Sequence, residues 1–218
     1  MNADTKTTVV VIDDHPLFRK GVADLIRMEP SLQLVGEAAD GESGLAVAQD
    51  TEPDLILLDL NMKGWSGLQT LEQLRATDLD ARIIVLTVSD NEEDVVAALR
   101  AGADGYLLKD MEPEDILDSL RRATQGRVVI SQRLTELLAH ALREDPGRPQ
   151  RPDQAGLTPR EAEVLTLITR GYSNKLIARD LDLTVGTVKV HVKHLLKKLG
   201  LKTRVEAAVW AINSQVRS

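Results

Sequence analysis

The chain has no cysteine, which excludes disulfides, thiolate metal sites, thiol nucleophiles and iron–sulfur clusters. Aromatic side chains are scarce: Phe18, Trp65, Tyr106, Tyr172 and Trp210 are the whole set. So few rings argue against a protein that grips single-stranded nucleic acid by stacking bases. Long apolar runs are missing as well. The longest are strand-length, so no segment is expected to span a bilayer. Met1-Asn2-Ala3-Asp4-Thr5-Lys6 lacks the apolar core of a signal peptide. A soluble, cytoplasmic protein with no membrane partner is the expectation. The 218 residues are 43% hydrophobic and 28% charged, a composition of folded rather than disordered chains. At about 150 residues per domain, that length suggests one large domain or two small ones.

The net charge of −7 hides two unlike parts. Residues 1–126 hold 11 Lys/Arg against 25 Asp/Glu, and residues 127–218 hold 16 against 9. The balance is thus −14 in the first part and +7 in the second. Such asymmetry suggests a basic part that meets a polyanion and an acidic part with another task. Between them, Asp145 to Gly156 (DPGRPQRPDQAG) contains three prolines and two glycines. Proline blocks regular hydrogen bonding and stiffens the chain, so the segment reads as an exposed linker. The expected organisation is a first domain over 8–126, a connecting helix and linker over 127–156, and a second domain over 157–218.

The first part alternates β-branched runs with amphipathic stretches. Strands are expected at Thr8–Asp13, Leu32–Val35, Leu55–Leu58, Arg82–Thr87 and Tyr106–Leu108. Helices follow each of them, at Leu17–Ile26, Gly41–Gln49, Ser66–Arg75, Glu92–Ala101 and Pro113–Thr124. Five such units imply an α/β fold with a parallel sheet covered on both faces. Right-handed crossovers make it a doubly wound sheet in the order 2-1-3-4-5.

Ligands of such sheets sit at the carboxyl ends of the strands. Asp13 and Asp14 end the first strand, Asp59 the third, Thr87 the fourth and Lys109 the fifth. Any one aspartate there is explained as a helix cap. Together, three carboxylates at one rim repel each other, and a hard cation relieves that repulsion. Oxygen-only ligands suit Mg²⁺. Lys109 and Thr87 add a positive charge and a hydroxyl for phosphate oxygens. Metal, cation, hydroxyl and a carboxylate nucleophile are the parts of a phosphoryl-transfer site.

Asp13-Asp14, then Leu57-Leu58-Asp59-Leu60-Asn61-Met62, then Thr87, then Tyr106-Leu107-Leu108-Lys109 resemble the receiver domain of two-component response regulators. The resemblance covers residues 8–126. It implies that Asp59 accepts a phosphoryl group from a sensor histidine kinase, and that Asp13, Asp14, Asp59 and the backbone carbonyl of Asn61 hold Mg²⁺. It also implies that Thr87 and Tyr106 rearrange on phosphorylation and that Lys109 is the lysine of the site. Two positions depart from the family. Lys63 stands where a proline is usual four residues after the phosphoacceptor, and Asp110 stands where a cis-proline often follows the lysine.

Past the linker the pattern turns all-helical. Thr158-Pro159-Arg160-Glu161 is a capping box with proline in the first turn. Helices are expected at Glu161–Thr169, Asn174–Leu181 and Thr184–Leu199, with a last one from Thr203. The third has two faces. Val188, Val192, Leu195, Leu196 and Leu199 point inward at helical spacing. Lys189, Lys193 and Lys197 recur every four residues on another side, with Val190 beside them. The recognition helix of a helix-turn-helix has this form, with lysines for phosphates or guanines and a valine for a thymine methyl. A solvated lysine face looks the same by periodicity alone. His191 and His194 lie three apart but lack a third ligand, so a zinc site is not expected.

Leu157 to Glu161 and Thr187-Val188-Lys189-Val190-His191-Val192 resemble the LuxR-type DNA-binding domain. Receiver plus this domain is the architecture of the NarL/FixJ group, and the similarity is nearest to its nitrate/nitrite-responsive members. The resemblance assigns base contacts to Lys189, Val190 and Lys193, and phosphate contacts to Lys197 and Lys175. It implies a homodimer on inverted-repeat half-sites of double-stranded DNA and a chain that is no enzyme beyond its own phosphorylation and dephosphorylation. Two alternatives stand beside it. An aspartyl-phosphate hydrolase of the haloacid-dehalogenase type needs Asp-x-Asp, and Asp59-Leu60-Asn61 lacks the second acid. The other is a DNA-binding protein whose receiver answers to something besides phosphate.

Overall fold

A computed structural model describes residues 6–77, 79–89, 91–124 and 155–215. The expected connecting helix and most of the expected linker, residues 127–154, lie outside the described residues. In the first domain, β1 (Thr7–Ile12), α1 (Pro16–Met28), β2 (Leu32–Ala38), α2 (Gly41–Thr51) and β3 (Leu55–Leu58) come first. Then follow α3 (Gly67–Ala76), β4 (Arg82–Thr87), α4 (Glu92–Ala101), β5 (Gly105–Leu108) and α5 (Pro113–Thr124). The strands form one sheet in the order β2-β1-β3-β4-β5, every pair parallel.

The alternation of strand side chains explains the layers. Val10, Ile12, Ile56, Leu58, Ile83 and Val85 share one face, and Val9, Val11, Leu55, Leu57, Ile84 and Leu86 share the other. Because helices cover both faces, β3 is buried along its whole length, and its four apolar residues need no polar alternation. Burying each such side chain stabilises the fold by about 1.5–3 kcal/mol.

One strand runs longer than the sequence predicts. β2 continues past Val35 through Gly36 to Ala38. The β1–β2 register slips between Val9 and Val10, which sets Gly36 opposite Val10. A Cβ at Gly36 would collide with Val47 Cγ1 of α2. The glycine therefore marks a close helix–sheet approach rather than a strand end.

The second domain has four helices: α6 (Pro159–Thr169), α7 (Asn174–Asp180), α8 (Val185–Leu199) and α9 (Arg204–Gln215). Local chemistry sets their ends. Thr158 and Glu161 complete the capping box of α6. Ser173 caps α7 through the Leu176 amide, and Thr184 caps α8 through the Thr187 amide. Gly200 ends α8 in a left-handed conformation, φ 66°, where a side chain would be strained. Val164, Leu165 and Ile168 of α6, Val188, Leu195 and Leu199 of α8, and Val205, Ala208 and Val209 of α9 make the core. That core is continuous with the apolar cluster under the α2–α4 face of the sheet. Ala155, at the edge of the expected linker, is buried in it.

Candidate phosphoacceptor site and DNA interface

The carboxyl ends of β1, β3, β4 and β5 bring the predicted residues together. Asp59 and Asp13 are 1% and 3% exposed. Lys109 Nζ donates to Asp59 Oδ2 at 2.6 Å and lies 2.8 Å from Asp13 Oδ2. The same ammonium lies over the Phe18 ring, 4.7 Å from its centroid, a cation–π geometry. One ammonium thus joins two nearly inaccessible carboxylates, as buried charges require.

Asp14 sits at the mouth of the pocket. Its Oδ2 accepts from the Lys63 amide at 3.1 Å. Its Oδ1 is buried without a hydrogen-bond partner, although His15 Nδ1 approaches within 2.9 Å; that contact lacks hydrogen-bond alignment. His15 Nδ1 also lies 3.4 Å from Asp13 and 3.6 Å from Asp59. Asp13, Asp14, His15 and Asp59 each offer an atom within 4.8 Å of the others. An orphaned carboxylate oxygen beside two buried carboxylates fits a hard divalent cation. His15, directly after the acidic pair, joins this group. That place in the sequence is the signal that could have found it.

The remaining predicted residues form a second ring. Thr87 is buried, and its hydroxyl oxygen accepts from Asn61 Nδ2 at 3.3 Å and from the Ser89 amide at 3.4 Å. The Asn61 amide donates to Asp59 Oδ1 at 3.2 Å. Tyr106 is buried with its hydroxyl donating to the Ser89 carbonyl at 2.8 Å. Backbone around Asp59 is fixed from behind by Gly67, the first residue of α3. A Cβ there would overlap the Asp59 carbonyl oxygen and Leu60 Cα, so only glycine lets α3 start this close.

In the second domain, α7 and α8 form the helix-turn-helix. Val190 is 51% exposed, and Lys193 and Lys197 are exposed. Lys189 is half-buried, and together with Val192 it lines a cavity against the first domain. Lys175 at the start of α7 is not open to solvent alone: its Nζ lies 2.6 Å from Asp54 Oδ1, just before β3. Burial pushes the Asp54 carboxyl up, but hydrogen bonds from Lys175 and Thr8 outweigh it and hold its pKa below the usual value. Neighbouring contacts join the same two domains. Asn174 donates to Asp80 Oδ1 at 2.7 Å, and the Arg82 guanidinium, which also donates to the Ala123 carbonyl within the receiver, donates across to the Gly171 carbonyl. His191 and His194 take no part in a metal-ligand cluster among the described residues.

Two family models match the chain: the response regulator receiver domain over residues 9–121, and the LuxR family of bacterial regulatory proteins over residues 155–211. The nitrate/nitrite response regulator NarL of Escherichia coli strain K12 is 54% identical over 216 residues, covering 99% of this chain and 100% of NarL. This chain is a two-component response regulator of the NarL/FixJ group. The response regulator NarP of the same E. coli strain is 46% identical over 94% of each chain. Among solved structures, the signal receiver domain of a NarL response regulator from Mycobacterium tuberculosis is 38% identical, with a TM-score of 0.54. It covers 56% of this chain and 98% of its own.

A response regulator of this group couples a receiver to a DNA-binding domain, and the sequence did not disclose how the two meet here. Asp54, Asp80, Arg82 and Arg204 belong to no motif that marks them in the sequence. The one available signal was the opposed charge of the two halves. It fits an attraction to DNA, and the acidic receiver is equally a partner for Lys175.

Proposed function

We propose that Asp59 accepts a phosphoryl group from a sensor histidine kinase, and that this frees α8 to bind double-stranded DNA and regulate transcription. The observation that carries the reading is that the Lys109 bridge to Asp59 and the Lys175 contact to Asp54 flank β3 at its two ends. In the transfer, an Asp59 carboxylate oxygen attacks phosphorus. The P–N bond of the kinase phosphohistidine breaks, and the imidazole nitrogen keeps the electron pair. The product is an acyl phosphate; water later cleaves it to inorganic phosphate and restores the carboxylate.

Asp13, Asp14 and Asp59, with the backbone of Asn61, would hold Mg²⁺, which supplies positive charge to the phosphoryl oxygens when bound. Lys109, already on Asp59, holds the incoming anion by a charge-assisted hydrogen bond. The phosphoryl group brings about −1.5 to −2 charges where the carboxylate had one. Thr87 turns its hydroxyl from Asn61 toward that charge, and the Ser89 segment with Tyr106 follows. The helices packed on β4 and β5 shift with them, and the contacts at Asp54, Asp80 and Arg82 loosen.

On DNA, Lys189, Val190 and Lys193 touch bases, and Lys197 and Lys175 touch phosphates. Lys175 and Lys189 face the receiver in the closed arrangement, so DNA and receiver compete for them. A homodimer on inverted-repeat half-sites completes the complex. Similarity to NarL and NarP points to nitrate- or nitrite-responsive genes of anaerobic respiration, and to a cytoplasmic protein. No helix of the described residues is long and apolar enough to cross a membrane.

A gel shift on inverted-repeat sites, with and without acetyl phosphate and Mg²⁺, tests the switch. Modification is expected to tighten binding, and the tightening to vanish in Asp59→Asn. Equal tightening in Asp59→Asn would remove Asp59 from the mechanism. Binding should also weaken steeply with salt, because lysine contacts to phosphates release counterions.

A further inference from the structure

Between the domains lies a cavity of about 380 Å³, within the size range of small-ligand sites. The receiver lines it with Arg75, Arg82 and Arg100, and the helical domain with Lys189, Lys202 and Arg204. Among the described residues the lining carboxylates are Asp80 and Asp104; leaving aside Lys189, which has an interaction of its own, they face five cations. Asp104 is already engaged by Arg75 and by the Ile83 amide. Two of the other guanidiniums bond to neutral acceptors: Arg82 turns to the Gly171 carbonyl, and Arg204 to the Tyr172 carbonyl and to Asn174 Oδ1. Such bonds satisfy donors but leave the charge in place. Arg204 is half-buried, and burial first, then repulsion from Arg82, pushes its pKa down to about 10. The site therefore holds an excess of cations in a partly desolvated space.

We infer that this cavity binds a small multivalent anion of the phosphate class, a di- or triphosphate, clamped between arginines of the receiver and an arginine and lysine of the helical domain. A single small halide brings too little charge for so many cations, and duplex DNA cannot enter while the domains are together. Asp80 is the adverse group, since its Oδ2 is buried without a partner among the described residues. Because the clamp draws on both domains, the bound anion favours the closed arrangement and opposes DNA. This consequence rests on the switch proposed above; the binding itself does not.

The test is calorimetric titration of the unphosphorylated full chain with sodium pyrophosphate, sodium tripolyphosphate and ATP, without Mg²⁺ and at matched ionic strength. One site per chain is expected. Arg100 and Lys202 are exposed, so R100Q/K202Q folds normally and is expected to weaken binding by about tenfold or more. Asp80→Asn keeps an acceptor for Asn174, removes the repulsion and is expected to tighten binding. ATP bound more tightly than tripolyphosphate marks a nucleotide site; the reverse order marks a free polyphosphate site. No saturable binding, or equal affinity in both variants, overturns the site. Saturating anion should then weaken DNA binding in the wild type more than in R100Q/K202Q; equal weakening overturns the regulatory consequence. Binding that follows these variants, in a chain whose DNA affinity ignores acetyl phosphate, faults the switch and leaves the site standing.

Discussion

The phosphoacceptor pocket and the domain interface both depend on lysine–carboxylate contacts, but they are built in opposite ways. In the pocket, Lys109, Asp13 and Asp59 have side chains 7%, 4% and 1% exposed. At the interface, Lys175 and Asp54 have side chains 62% and 34% exposed. Removing one partner of a buried pair costs about 3–5 kcal/mol, because a charge is left stranded. An exposed pair contributes about 0–1 kcal/mol. The pocket is thus a place where one added group has large consequences, and the interface a sum of small terms. That division suits a switch. Buried charges supply the larger part of the energy that shifts a two-state balance, and weak interface contacts are the ones that yield to it.

The sharpest way to break this comparison is at Gly67. Gly67→Ala forces a Cβ against the backbone of Asp59 and Leu60, atoms that cannot rotate away. A loss of about 1–3 kcal/mol is expected from the overlap, with reduced phosphoryl incorporation because the acceptor itself is displaced. Urea denaturation and incorporation of label from a phosphorylated kinase measure the two effects. Wild-type stability with full incorporation would show that the α3 start is not what holds Asp59.

A smaller effect is expected inside the helical domain, away from both sites. Glu161 caps α6 through the Thr158 amide at 2.8 Å and pairs with Lys198 at 2.7 Å. Burial raises its pKa, but Lys198 and Thr158 outweigh burial and hold it below the usual glutamate value. A depressed folded pKa means that its stabilisation is complete above the unfolded value and disappears as pH falls through the folded one. Glu161→Ala should cost about 1 kcal/mol at neutral pH, and the difference from wild type should shrink below about pH 4. Thermal melts across that range decide it; a difference that grows toward acid would reverse the assigned sign.

Most of the architecture was legible because it is written in local patterns. The all-apolar run Leu55–Leu58 announces a strand covered on both sides, and Thr158-Pro159-Arg160-Glu161 announces a helix start. The acidic pocket was legible because its residues all end strands, and strand order then determines who meets whom. The domain interface has no such grammar. Arg82 reaches the carbonyl of Gly171, 89 positions away, and a backbone acceptor leaves no mark on the sequence. Lys175 carried a signal, but one that fits a DNA phosphate and Asp54 equally, since both are anions at the surface. Gly36 misled for a related reason: a glycine required by a neighbouring helix looks the same as one that ends a strand.

The smallest expected effect is the most direct test of the interface. Asp54→Asn retains an acceptor for Thr8, whose amide and hydroxyl both donate to Asp54 Oδ2, so the β1–β3 edge should fold unchanged. It removes the charge opposite Lys175. In the unphosphorylated chain, DNA affinity should rise by no more than about fivefold, the equivalent of an exposed ion pair of about 1 kcal/mol or less. With Asp59 phosphorylated the difference should vanish, because the released Lys175 is then available to DNA in both proteins. The Asp54 pKa is depressed, so its contribution holds above the usual carboxylate range and fails only as pH drops through its lowered value. Between pH 6 and 8 the wild type and Asp54→Asn should therefore differ by a constant factor. A rise in affinity that persists at full strength after phosphorylation would mean that Asp54 acts on the DNA complex itself, and the interface would lose its claim to hold the unmodified protein closed.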